Sequence, residues 1–332
     1  MKKKSFIIVL LTAAIMLVLA ACGNKEGAKE EQDDQANAGE KTYKVGILQY
    51  VEHPSLNEAT KGFKAALKES GLNIEFDEQN AQGDSGNNTT AANSLVGAGS
   101  DLIFANATPS AQAVQTATAD IPVLFTSVTD AVGAELIKSM EQPGGNVTGT
   151  IDTHPDAIPN TVKFAAEQLN AKKIGMVYNA GEQNSRAQVD LVKAEAKKLG
   201  VEVVEASAAT SADVKQATES IVSKVDAFYI ITDNTVVSAL ESVLDVANDK
   251  KIPVLVGELD SVKRGGFGAY GFSYYDIGFE AGEMAVQILK DGKKPADIPA
   301  AYPGNLKFEI NEDTAKKLGI DIKKEWNAEA VK

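Results

Sequence analysis

The chain has 332 residues, 44% of them hydrophobic and 24% charged, with a formal net charge of −13 and a single cysteine. Leu, Val, Ile and Ala spread along the length give it enough apolar mass for one large domain or two lobes. The acid excess argues against nucleic acid or direct docking on anionic lipid, and one cysteine excludes an internal disulfide.

Met1-Lys2-Lys3-Lys4 opens a leader in which Phe6 to Ala21 is apolar apart from Thr12. That run is shorter than the ~20 residues a spanning helix needs and ends in small residues, the pattern of an export signal. Leu19-Ala20-Ala21-Cys22 resembles a bacterial lipobox, which implies cleavage before Cys22 and lipid on its thiol. Residues 1–21 are then a lipoprotein signal peptide, and losing Lys2, Lys3 and Lys4 takes the net charge from −13 to −16. Residues 22–42 are Gly, Asn, Gln, Ala, Lys and acids with almost no large apolar side chain. Such a segment cannot offset its ordering entropy, and it reads as a flexible tether. The expected location is the extracytoplasmic face of the cell membrane, held by lipid rather than by charge.

From Tyr43 onward the sequence repeats itself. Lys44-Val45-Gly46-Ile47-Leu48 leads to Ala59, Phe63 and Leu67 at helical spacing, then Gly71 and the strand-like Ile74-Glu75-Phe76. Lys173-Ile174-Gly175-Met176-Val177 leads to Val189, Val192, Ala196 and Leu199, then Gly200 and Val201-Glu202-Val203-Val204, at an offset of 129 residues. Asp101-Leu102-Ile103-Phe104 and Ile121-Pro122-Val123-Leu124 return as Asp226-Ala227-Phe228-Tyr229 and Ile252-Pro253-Val254-Leu255. Strands alternating with helices predict an α/β fold of two doubly wound parallel-sheet lobes. The chain crosses between them in three segments: Pro143 to Thr153, Gly265 to Tyr274 and Ala300 to Leu306. The expected lobes are residues 43–150 plus 275–300 and residues 151–274 plus 301–332, with hinges at the crossings.

Open α/β sheets bind ligands beyond the carboxyl ends of their strands. Those ends carry Glu52-His53-Pro54-Ser55, Thr108-Pro109-Ser110 and Thr126-Ser127 in one half. In the other they carry Gly181 to Ser185, Asp233-Asn234-Thr235 and Gly257-Glu258. Helix capping accounts for many of these hydroxyls and acids taken singly. Collectively they describe helix N-termini suited to a carboxylate, facing acids suited to an ammonium.

Several of these segments together resemble one family. Glu52-His53-Pro54, Asn80-Ala81-Gln82-Gly83-Asp84, Thr108-Pro109-Ser110-Ala111-Gln112, Phe125 to Asp130, Pro143 to Gly149 and Val225-Asp226-Ala227 are similar to ABC-transporter substrate-binding lipoproteins of the tryptophan/tyrosine type. Ala131 stands where that family usually has proline. The resemblance spans about Tyr43 to Lys324 and implies a type I periplasmic-binding fold that closes on an amino acid, with an aromatic one expected. It also implies a monomer that presents its ligand to an ABC permease and its ATPase, without a cofactor. Carried over by position, Glu52, His53, Gln82, Thr108, Ser127, Asp152, Asn184, Ser185, Asp233 and Asn234 are expected to line the site. Thr108 and Ser127 would hold the carboxylate, Asp152 or Asp233 the ammonium, and Tyr50, Phe125, Tyr178 or Tyr270 an aromatic wall.

Competing patterns are weaker. Gly266 to Gly271 fits G-x-G-x-x-G but lacks the strand–loop–helix context of a dinucleotide site. His53 and His154 both precede proline and have no metal-ligand spacing. No serine sits in a G-x-S-x-G elbow and Cys22 is committed to lipid, so an enzyme is not expected. A sugar or nucleoside receptor of the same fold is the alternative, disfavoured because only Arg186, Arg264 and Trp326 are available for forked hydrogen bonds and indole stacking. A ligand sensor for a membrane signalling partner is not separable from a transport receptor by sequence.

Overall fold

The computed structural model describes residues 41–332; the signal peptide, Cys22 and the tether as far as Glu40 lie outside the described residues. The described chain begins with β1 (Thr42–Gln49), α1 (Pro54–Glu69), β2 (Asn73–Asn80), α2 (Ser85–Gly97), β3 (Leu102–Asn106), α3 (Thr108–Ala117), β4 (Val123–Val128) and β5 (Val147–Ile151). These strands form a five-stranded sheet in the order β2-β1-β3-β4-β5, with every pair parallel. β3 (LIFAN) and β4 (VLFTSV) are buried at every position because helices cover both faces, whereas the edge strand β2 alternates exposed and half-buried residues.

After Ile151 the chain enters a second sheet through α4 (Ala157–Glu167), β6 (Lys173–Tyr178), α5 (Gln183–Lys198), β7 (Glu202–Ser207), α6 (Val214–Ile221), β8 (Ala227–Ile230), α7 (Asn234–Ser238), α8 (Leu240–Asp249), β9 (Val254–Val256), α9 (Leu259–Lys263) and β10 (Gly268–Gly271). It returns to the first lobe as α10 (Tyr274–Leu289), then completes the second with β11 (Lys307–Asn311), α11 (Glu312–Leu318) and β12 (Glu329–Val331). The second sheet has seven strands in the order β12-β11-β10-β9-β8-β6-β7. The internal repeat is visible in the pairing, since β1 lies between β2 and β3 as β6 lies between β7 and β8.

One feature departs from the all-parallel expectation. β11 runs antiparallel to β10. β10 leaves its sheet at the carboxyl edge, and the third crossing brings the chain back from the other lobe, where Thr150 bridges Ala301. A strand entering at that edge can only run back across the sheet. The Gly266–Gly271 run supplies β10 itself, so its glycines serve a strand and not a phosphate loop.

The helix that returns is seated by glycines. α1 buries Leu56, Ala59, Phe63, Ala66 and Leu67, and α10 buries Ile277, Ala281, Met284, Ala285 and Ile288. A Cβ on Gly278 would lie 1.9 Å from the Ala59 carbonyl oxygen, and one on Gly62 would lie 2.0 Å from that of Tyr275. Backbone therefore packs on backbone where the helices cross, and behind them Phe63 stacks on Phe104 with ring centroids 3.9 Å apart. Gly278→Leu must separate α1 from α10, and it is expected to lower stability by about 1–3 kcal/mol or more. Urea denaturation with an unchanged slope checks this, and a stability equal to wild type refutes the close-packed interface.

Candidate functional site

Strand order reverses between β1 and β3 in one sheet and between β6 and β8 in the other, and each reversal opens a crevice at the carboxyl edge. The two edges enclose a cavity of about 10 Å³, room for about one water. His53, Leu56 and Ser127 line it from the first lobe, Thr232, Asn234, Val237 and Glu258 from the second, and Asp152 and Tyr274 from the first two crossings.

The backbone is strained where it presents hydroxyls. Ala107, just before Thr108, holds φ 90° and ψ 153°, a region used almost solely by glycine. Ser127 holds φ 55° in a β-bulge, where the β4–β5 register slips between Phe125 and Val128. Each such conformation costs on the order of 1–3 kcal/mol. The Thr108 and Ser127 hydroxyls are buried without a hydrogen-bond partner among the described residues, and so are His53 Nδ1, Asn184 Oδ1 and Thr232 Oγ1.

The acids fall into two groups. Asp233 caps α7: its Oδ1 accepts from the Val236 amide at 2.7 Å, and its Oδ2 accepts from the Asn179 amide at 2.7 Å and the Ser185 hydroxyl at 2.6 Å. Burial and the nearby Glu182 push its pKa up, against those three bonds. Glu182 spends both oxygens on the same helix end, accepting from Asn234 Nδ2 at 2.6 Å and Thr235 Oγ1 at 2.8 Å. Asp152 and Glu258 instead face the cavity. Asp152 accepts from the Tyr274 hydroxyl at 2.7 Å and the Thr129 hydroxyl at 3.1 Å, and burial raises its pKa. Glu258 accepts from Ser261, and burial pushes it up to about 7. Burial holds His53 down at about 3, helped by the Arg264 charge, so its imidazole is neutral at neutral pH.

Of the residues expected from sequence, His53, Ser127, Asp152 and Asn234 reach the cavity wall. Asn184, Ser185 and Asp233 form the buried network behind Asn234, so Asp233 is not free to meet an ammonium. Thr108 is buried at the start of α3, outside the cavity lining. Glu52 and Gln82 are exposed. Among the expected aromatics, Phe125 is wholly core, Tyr178 bonds Glu205, and Tyr270 stacks on Phe308 at 4.1 Å. Tyr50 donates to the Gly83 carbonyl and lines a separate opening between the lobes. The aromatic at the cavity is Tyr274, stacked with Phe272 at 5.8 Å. Tyr274 and Thr232, which also line the cavity, were not among the residues expected there, and Glu258 was expected only as part of the Gly257-Glu258 strand end; it follows the apolar strand Val254–Val256.

Comparison with known proteins agrees with this architecture. The family described as ABC transporter substrate binding protein matches residues 44–332. The chain is 42% identical over 325 residues to a tyrosine-binding protein of Clostridioides difficile, covering 94% of this chain and 93% of that one. It superposes at a TM-score of 0.84 on an ABC domain from Streptococcus pneumonia in complex with L-Trp, at 35% identity, covering 88% of this chain and 100% of the other. The TM-score is only 0.65 against the ligand-free, open structure of a Clostridium difficile substrate binding protein with adhesive properties, although identity there is 42% and coverage 87% and 99%. The more similar sequence is the less similar structure, so the arrangement of the lobes here is nearer to that of the L-Trp complex than to that of the open form.

The depressed His53 pKa sets a direction in pH. Between about 3 and the ordinary 6.5 the unfolded chain binds a proton that the folded chain refuses, so this residue removes stability as pH falls below 6.5. His53→Gln is therefore expected to flatten the acid limb by up to about 1.4 kcal/mol per pH unit, read from urea midpoints at stepped pH. Parallel curves for the two proteins would show that His53 titrates normally.

Proposed function

The chain belongs to the ABC transporter substrate-binding protein family, and from that premise we propose that it captures an amino acid with an aromatic side chain between its lobes and delivers it to an ABC permease and its ATPase. The observation that carries this reading is the inter-lobe cavity, where unpaired hydroxyls and buried acids from both sheet edges meet. A cavity of about 10 Å³ admits no amino acid, so the lobes open for entry and close over the ligand. Ser127, with Thr108 at the N-terminus of α3, takes the ligand carboxylate. That helix end adds a favourable dipole, and the strained turns before it aim the hydroxyls. Asp152 takes the ammonium. Closure is then linked to occupancy, because only the closed form offers both ends of the ligand its partners.

The receptor acts as a monomer on the extracytoplasmic side. Lipid on Cys22 holds it at the membrane, and the polar segment ahead of β1, which begins at Thr42 and so shortens the expected tether by one residue, links that anchor to the folded part. Among the described residues no helix is long and apolar enough to cross a membrane.

A thermal-shift screen of L-tyrosine, L-tryptophan, glucose and adenosine tests the ligand class. An aromatic amino acid at ~100 times its dissociation constant should add about 2.7 kcal/mol of stability, and a shift with glucose or adenosine alone sinks the proposal. Asp152→Asn should weaken amino-acid binding by about tenfold or more in calorimetry, the loss of a charge-assisted hydrogen bond. Cys22→Ala should release the protein from the membrane fraction while leaving its affinity unchanged; retention in that fraction removes the lipid anchor from the scheme.

A further inference from the structure

The cavity contains acids and no cation. Its titratable groups are Asp152 and Glu258, the neutral imidazole of His53, and the Tyr274 hydroxyl already donated to Asp152. Ser127, Thr232 and Asn234 complete its polar lining and carry no charge. The nearby cation, Arg264, is spent elsewhere: its Nε and Nη2 hold Glu241 at 2.8 and 2.7 Å, and its Nη1 holds the Val237 carbonyl at 2.8 Å. Two carboxyls are thus buried against one small space, and the cation near Glu258, Arg264, is bonded to other groups.

Glu258 stands out because its own lobe leaves it half satisfied. Ser261 donates to its Oε1, and no protein donor among the described residues bonds its Oε2. The Ser55 hydroxyl of α1, otherwise without a partner among the described residues, adjoins the carboxyl from the first lobe. Asp152, fixed to the first lobe by its amide bond to the Val128 carbonyl at 3.0 Å, faces the same space.

We propose that Glu258 is a specificity-determining residue that, with Asp152, clamps the protonated amine of the ligand from the opposite lobe. This inference rests on the amino-acid reading above and names the group that makes an amine obligatory. Around Glu258 stand Ser261, Asp260 and Arg264 on its own side, and Ser55, His53, Asp152 and Tyr274 across the seam. In the closed cleft burial outweighs these neighbours and favours the neutral carboxyl. An ammonium placed against it favours the anion, so closure on an amine leaves Glu258 charged and closure without one does not.

Calorimetry of L-tyrosine binding at neutral pH tests the clamp. Glu258→Gln should weaken L-tyrosine by about tenfold or more, with Glu258→Asp restoring part of the affinity. A ligand without the amine, 3-(4-hydroxyphenyl)propionate, should bind wild type and Glu258→Gln equally. Unweakened L-tyrosine binding by Glu258→Gln overturns the clamp alone. Failure of wild type to bind any amino acid removes the amino-acid reading and the clamp with it.

Discussion

A chain of hydrogen bonds runs across the seam between the lobes. Gln188 Nε2 of α5 donates to the Thr129 hydroxyl at 3.3 Å, Thr129 donates to Asp152, and Tyr274 donates to the other oxygen of Asp152 at 2.7 Å. Asp152 follows β5 in the first crossing, and Tyr274 opens α10 in the second. One buried carboxyl therefore ties together the first two of the three crossings between the lobes. Its burial makes the bonds strong and the loss of any donor costly, on the order of 1–3 kcal/mol for a buried polar group left unpaired. Asp152 and Tyr274, which both line the cavity, are placed by this junction.

The junction is only as firm as the helix carrying Tyr274. Seating α10 on α1 through Gly62, Gly278 and Gly282 brings backbone against backbone, and such contacts have no rotamers to relax. Ser273 caps the helix by accepting from the Asp276 amide at 3.1 Å, which fixes where its first residue points. α1 begins at Pro54, immediately after His53, so the same helix pair positions both His53 and Tyr274 at the seam. The core of the first lobe and the geometry of the cavity are one packing problem.

How much of this was legible in the sequence depended on whether the signal was local. The repeat at 129 residues, the apolar strands and the helical spacings are short-range patterns, and they anticipated two lobes and the strand ends where the site lies. The resemblance identified His53, Ser127, Asp152 and Asn234, all of which reach the cavity. What escaped was decided by three-dimensional competition for polar groups. Asp233 and Glu258 both end strands of the second half, but Asp233 is consumed by two backbone amides and Ser185, and Glu258 is left facing the cleft. No spacing distinguishes them. Tyr270 and Tyr274 lie four residues apart, yet β10 turns the first onto Phe308 while the crossing carries the second to the seam. The antiparallel β11 is likewise a matter of which edge the chain re-enters, not of its residues.

The closed cleft carries costs that bear on how the protein works. His53 Nδ1, Thr108 Oγ1, Ser127 Oγ, Asn184 Oδ1 and Thr232 Oγ1 are buried without partners among the described residues, and each such atom costs on the order of 1–3 kcal/mol. Asp152 and Glu258 add two carboxyls that burial drives toward the neutral form. Separating the lobes would hydrate those that line the cavity, among them Ser127, Thr232, Asp152 and Glu258, while closure on a ligand bearing both charges would satisfy the acids. The same side chains thus disfavour the empty closed form and favour the filled one. A difference of about 5.5 kcal/mol between the two would suffice to move an open-to-closed ratio from 99:1 to 1:99. Packing the cleft with apolar side chains would give a more stable closed protein, but it would close whether or not anything was bound. In the proposed scheme the unpaired polar atoms at the seam are therefore what would couple lobe position to occupancy.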